Sequence, residues 1–121
     1  MDDDDDILKM LSRMINKIGY EYETSSNGEE AIKKYVEASE QNTPFDVIIM
    51  DLTIPGGMGG KEAVKKVLEI NRNAKVIVSS GYTSGSALAE YKSFGFKDMI
   101  DKPYTMAKLK KVLNRVLNEI T

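Results

Sequence analysis

Strand-like and helix-like segments alternate along all 121 residues, and that alternation predicts an α/β fold with a parallel sheet covered by helices on both faces. Two further observations agree. The runs Val47, Ile48, Ile49, Met50 and Val76, Ile77, Val78 are apolar at every position, as strands buried on both faces are. Polar residues then stand where strands end: Asp51 after the first run, Ser79 and Ser80 after the second, and Asp101 and Lys102 after a third short segment. In open α/β sheets, ligands bind outside the carboxyl ends of the strands.

Each element has its own signal. Ile7, Leu8, Leu11, Met14, Ile15 and Ile18 recur at helical spacing, preceded by aspartates and followed by Gly19, which predicts a helix over residues 5–18. Residues 20–24 alternate tyrosine with glutamate and predict a strand. After a turn from Ser25 to Gly28, Ala31, Ile32, Tyr35 and Val36 mark a second helix. Residues 41–44, ending in Pro44, break the pattern before a strand over 46–50. A glycine-rich loop leads to a third helix over 60–70, carrying Ala63, Val64, Val67 and Leu68. A strand over 75–79 precedes a helix with Ala87, Leu88, Tyr91 and Phe94, stopped by Gly95. A strand over 97–101 then leads to the clearest amphipathic segment, with Leu109, Val112, Leu113, Val116, Leu117 and Ile120.

A chain of 121 residues makes one domain with one core. With 30% charged residues and a net charge of −2, it offers no basic field for direct nucleic-acid binding. The absence of cysteine excludes disulfides and thiolate metal sites, and the absence of histidine removes imidazole as base, ligand or phosphoryl carrier. No apolar stretch approaches membrane-span length, and the start is acidic rather than basic and then apolar, so a cytoplasmic location is expected.

The polar strand ends suit phosphoryl transfer to an aspartate. A carboxylate attacking an anionic phosphoryl group needs a cation and a fixed ammonium to neutralise the developing charge. Asp51, Ser80 and Lys102, with the acidic run at 2–6, supply such groups. In that order and at that spacing, the chain resembles the receiver domain of two-component response regulators over its whole length. Residues 45–52, 79–82 and 102–104 are most similar to receivers attached to hybrid sensor histidine kinases.

The resemblance implies a flavodoxin-like, doubly wound parallel sheet of strand order 2-1-3-4-5 and a regulatory phosphoacceptor in a phosphorelay, not an enzyme. It makes Asp51 the acceptor, Ser80 the switch hydroxyl and Lys102 the ammonium beside the acceptor. Asp2, Asp3, Asp51 and the backbone carbonyl of Thr53 would hold Mg2+, which favours oxygen ligands and keeps several waters. The implied donor is a sensor histidine kinase or a histidine phosphotransfer protein, and the last two helices are the surface for a possible homodimer.

The chain departs from the family in two places. Met99 stands where the family often has a switching aromatic, which leaves Tyr82 and Tyr104 as candidates for the coupling; Tyr82 is also placed to screen an acyl phosphate from water. The family's first strand would directly precede the acidic pair, where this sequence has Met1 alone. The expectation is therefore a receiver over 1–121 that enters the fold after its first strand, with Asp2 and Asp3 on a frayed terminus. Either a gap beside strand 46–50 or a second strand slid against the third would follow, unless a partner chain supplies the strand.

Two other readings stand beside it. A haloacid-dehalogenase-type phosphohydrolase also uses a strand-end aspartate, a hydroxyl, a lysine and Mg2+, but would carry a second acid where Thr53 lies. A receiver-like interaction module independent of phosphate is the other.

Overall fold

The computed structural model describes residues 1–81 and 87–118. In chain order these form α1 (Asp5–Ile18), α2 (Gly28–Glu40), β1 (Ile48–Asp51), α3 (Gly60–Ile70), β2 (Val76–Ser80), α4 (Ala87–Phe94), β3 (Asp98–Asp101) and α5 (Met106–Leu117). The strands are parallel in the order β1-β2-β3. Five helices enclose them, as the apolar runs require. Tyr82 and Ile120 lie outside the described residues.

Local chemistry sets the helix ends. Asp4 caps α1 by accepting from the Asp6 and Ile7 amides, and Gly19 closes it in the left-handed conformation at φ 110°. Asn27 caps α2 through Glu30 N–H, and Thr105 caps α5 through Lys108 N–H. The sheet separates two clusters. On one face Met50, Val76 and Val78 pack with Tyr35, Ala63, Val64, Val67 and Tyr91 from α2, α3 and α4. On the other, Ile77 and Ile100 pack with Leu11 of α1 and Leu109, Leu113 and Val116 of α5. The alternation of strand side chains sends odd and even positions to opposite faces.

Residues 20–24, expected to be a strand, carry none in the structure. A strand needs a ladder, and among the described residues the place between this segment and β1 is taken by Met1 and Asp2. Met1 does take one ladder position there. Its amino group donates to the Ile49 carbonyl at 2.7 Å and its carbonyl accepts from Asp51 N–H at 2.9 Å. These two bonds set Met1 beside Met50 in the parallel sense. On the far side, Asp2 N–H donates to the Ser25 carbonyl at 3.1 Å. A groove of about 700 Å³ continues from this point between Leu11 and Ile15 of α1, Ala38 of α2, the Val47 to Ile49 edge and Leu113 of α5. The expected gap beside β1 is therefore present, and no second strand slides across to close it.

The expectation of a frayed terminus is corrected for Asp2, which the same bonds hold at 2% exposure, while Asp3 stays exposed. Burial pushes the Met1 amine down to about 6 from 8.0, against the opposing pull of the Asp2 and Asp51 carboxylates.

Candidate functional site

The site lies where β1, β2 and β3 end. Asp51 closes β1, and α3 begins close behind it: a Cβ on Gly60 would lie 2.6 Å from the Asp51 carbonyl oxygen. Only a residue without a side chain lets the helix approach so near. In the ladder Asp51 pairs with Ser79, and Ser80 pairs with Asp101. Lys102 follows β3, with a cis peptide bond to Pro103. Its N–H donates to the Ser80 carbonyl at 3.0 Å, which ties the end of β2 to the lysine.

Charge concentrates on Asp51. Lys102 Nζ lies 3.3 Å from Asp51 Oδ2 and 3.2 Å from Asp2 Oδ2. Burial raises the Asp51 carboxyl above its ordinary range, the Asp2 charge adds to that, and Lys102 opposes both. For Lys102, burial pulls downward, but the Asp51 and Asp2 carboxylates hold its pKa above the usual lysine value. The lysine is therefore cationic at neutral pH.

Asp2, Asp3 and Asp51 each place a carboxylate oxygen within 4.8 Å of the others. Asp2 Oδ2 is buried and makes no hydrogen bond, since Lys102 is near enough for an ion pair but lacks hydrogen-bonding geometry. An all-oxygen set with an orphaned buried acceptor fits a small hard cation such as Mg2+. Thr53 lies two residues past Asp51 and is exposed.

The hydroxyls at the end of β2 are each engaged by a tyrosine. Ser79 shares a buried hydrogen bond with the Tyr104 hydroxyl, and Ser80 Oγ accepts from the Tyr91 hydroxyl at 3.0 Å. Burial raises the Tyr104 pKa, while its bond to Ser79 and the nearby Lys102 charge act against that shift. Of the sequence candidates for coupling, Tyr104 thus meets Ser79 and not Ser80, and Met99 packs against the α3/α4 core. Tyr91 was legible in the sequence only as a core position of α4.

The family model for the response regulator receiver domain matches residues 1–114. This chain belongs to the response regulator receiver family. The receiver is 37% identical to the chemotaxis protein CheY of Thermotoga maritima over 108 residues, covering 88% of this chain and 85% of that protein. It is 31% identical to CheY of Bacillus subtilis, with 90% and 87% covered. Among solved structures, chemotaxis protein CheY4 of Vibrio cholerae superposes with a TM-score of 0.83 at 36% identity, covering 96% of this chain and 93% of that one. A chain of the CheX–CheY–BeF3–Mg2+ complex from Borrelia burgdorferi gives a TM-score of 0.82 at 29% identity, covering 93% and 83%.

The fold is accordingly the flavodoxin-like α/β fold of CheY, and the receiver is a phosphoacceptor domain of two-component signalling. Receiver domains are regulatory, and neither the phosphohydrolase nor the phosphate-independent module is favoured. Among the described residues no helix is long and apolar enough to cross a membrane.

Proposed function

We propose that Asp51 is the residue phosphorylated, with Lys102 and Ser80 as its partners and Asp2, Asp3, Asp51 and the Thr53 carbonyl as the Mg2+ ligands. The observation that carries this reading is the Lys102 ammonium held 3.3 Å from Asp51 and 3.2 Å from Asp2, beside a cluster of three carboxylates. When bound, Mg2+ supplies positive charge to the phosphoryl oxygens.

An Asp51 carboxylate oxygen forms the new O–P bond as the donor's P–N bond breaks; the bonding pair stays on the imidazole nitrogen, which takes its proton from solvent. Lys102 neutralises charge on the phosphoryl group as a compact point charge. Ser80 then donates its hydroxyl to a phosphoryl oxygen, which adds roughly 1.5 to 2 negative charges to a partly buried site. The donor is a phosphohistidine on a sensor histidine kinase or a histidine phosphotransfer protein, because this chain has no histidine of its own. The likeness of residues 45–52, 79–82 and 102–104 to receivers of hybrid sensor kinases favours a phosphorelay setting in the cytoplasm. An apolar strand laid in the groove beside β1 would complete the sheet of a receiver spanning 1–121. The α4 and α5 surface is the candidate for a phosphorylation-dependent homodimer.

The test is labelling by acetyl phosphate or a phosphohistidine donor. One phosphoryl group per chain is expected, dependent on Mg2+ and lost in Asp51→Asn. Sustained turnover of a generic phosphate monoester would favour a phosphohydrolase instead. Labelling that survives Asp51→Asn would remove Asp51 from its role.

A further inference from the structure

A buried phenol must give its hydroxyl a partner, because a desolvated hydroxyl without one is costly. Tyr91 is 5% exposed. Its ring stands edge-on to Phe96, 6.4 Å between centroids at 84°, and its hydroxyl donates to Ser80 Oγ at 3.0 Å. Ser80 is itself buried, closes β2, and accepts the Lys102 N–H at its carbonyl. One serine thus connects the end of β2, the lysine turn and the interior of α4.

We infer that Tyr91 is the positioning residue for the Ser80 hydroxyl and the link through which α4 responds when Asp51 is modified. The inference rests on the reading of Asp51 and Ser80 given above. A hydroxyl-to-hydroxyl bond is directional, so turning Ser80 Oγ toward a phosphoryl group changes the place Tyr91 must reach. Phe96 packs against the edge of the Tyr91 ring, and that ring sits in the core with Val64, Val67 and Val78. The phenol therefore follows Ser80 only by carrying its helix along.

The other side chains near the site are placed for different work. Met99 has no hydroxyl to hand over and packs against the same core. Tyr104 is bonded to Ser79, whose side chain alternates with that of Ser80 and points to the α1/α5 face. Among the described residues, Tyr104 meets Ser79 and Tyr91 meets Ser80, on opposite faces of the sheet, and the Tyr91 pair is the one that includes the proposed switch hydroxyl.

Beryllofluoride with Mg2+, as found in the Borrelia complex, serves as the phosphoryl mimic, read by backbone amide NMR shifts at Asp51 and across residues 88–94. In the unaltered protein both regions are expected to move together. In Tyr91→Phe the Asp51 amide should still respond, while the α4 displacement falls to about half or less. Ser80→Ala should cause the same loss, and the double variant no more than either, as two residues acting in one link require. An undiminished α4 response in Tyr91→Phe, or losses that add, would overturn the inference while leaving Asp51 as acceptor. No response at Asp51 in the unaltered protein would instead sink the acceptor reading, and this inference with it. Should Tyr91→Phe fail to fold, the phenol Cζ of selectively labelled Tyr91 in the unaltered protein decides the matter. Its signal should shift on adding the mimic, and a stationary signal counts against the link.

Discussion

At the scale of single residues, the receiver site is a place where burial and like charge act together. The Asp51 carboxyl lies above its ordinary value because of burial and the Asp2 charge, so the folded state binds this proton more tightly than the unfolded chain. Stability contributed by Asp51 is then fullest at low pH and is lost as pH rises from 3.8 through the raised value. Replacing the charge should relieve this. In buffer without Mg2+, Asp51→Asn is expected to raise the unfolding free energy at neutral pH, checked by urea denaturation. A close backbone approach gives a second outcome. Gly60→Ala would drive its Cβ against the Asp51 carbonyl and should destabilise the fold by roughly 1 to 3 kcal/mol, with the Asp51 amide shift displaced. The candidate residues of the site stood out by their joint order rather than singly: an aspartate after the longest apolar run, a hydroxyl before Gly81 and a lysine before Pro103. Tyr91 was not readable, since a tyrosine at a core position of a helix does not reveal what its hydroxyl touches.

At the scale of elements, helices were legible where the apolar spacing is regular, in α1 between its Asp4 and Gly19 caps and in α3 without a side-chain cap at Gly59. The expected bounds of α1 and α3 coincide with those observed. Strand positions shifted by a residue or two, and residues 20–24 failed as a strand altogether. Alternation of tyrosine with glutamate shows that a segment can pair, but the neighbour it pairs with is a matter of the whole sheet. Among the described residues, Met1 takes that place, and its amine occupies the position of a backbone amide. Because folding lowers its pKa from 8.0 to about 6, the folded state disfavours the charged amine that the unfolded chain carries. Stability should therefore rise as pH increases from 6 to 8, by roughly 2 to 3 kcal/mol if this group acts alone, and acetylation of the terminus should flatten that rise. Thermal melts across that range measure it. Extending the chain before Met1 by four apolar residues would replace the amine with an amide and fill the groove. The gain, on the order of a few kcal/mol after backbone ordering, should appear as a higher denaturation midpoint.

At the scale of the whole molecule, two apolar layers meet across one short sheet, and everything chemical sits at the same end of it. This follows from the parallel direction of the strands, so alternating segments with polar residues at the strand ends pointed to that end of the sheet before any distance was known. Mg2+ binding to that end should stabilise the entire fold by mass action. A rise in melting temperature with Mg2+ concentration, absent in Asp51→Asn, is the expected result in differential scanning fluorimetry. The β1 edge of the sheet is left open. Along β1, the Ile48 N–H turns to the Lys75 carbonyl beside β2, so by alternation the Val47 carbonyl and the Ile49 N–H face the groove. An unfinished sheet margin of this kind is a template for another polypeptide's backbone. Solutions of the protein should accordingly thicken into oligomers as concentration rises, independently of any phosphoryl mimic, and a soluble apolar hexapeptide should disperse them in light scattering.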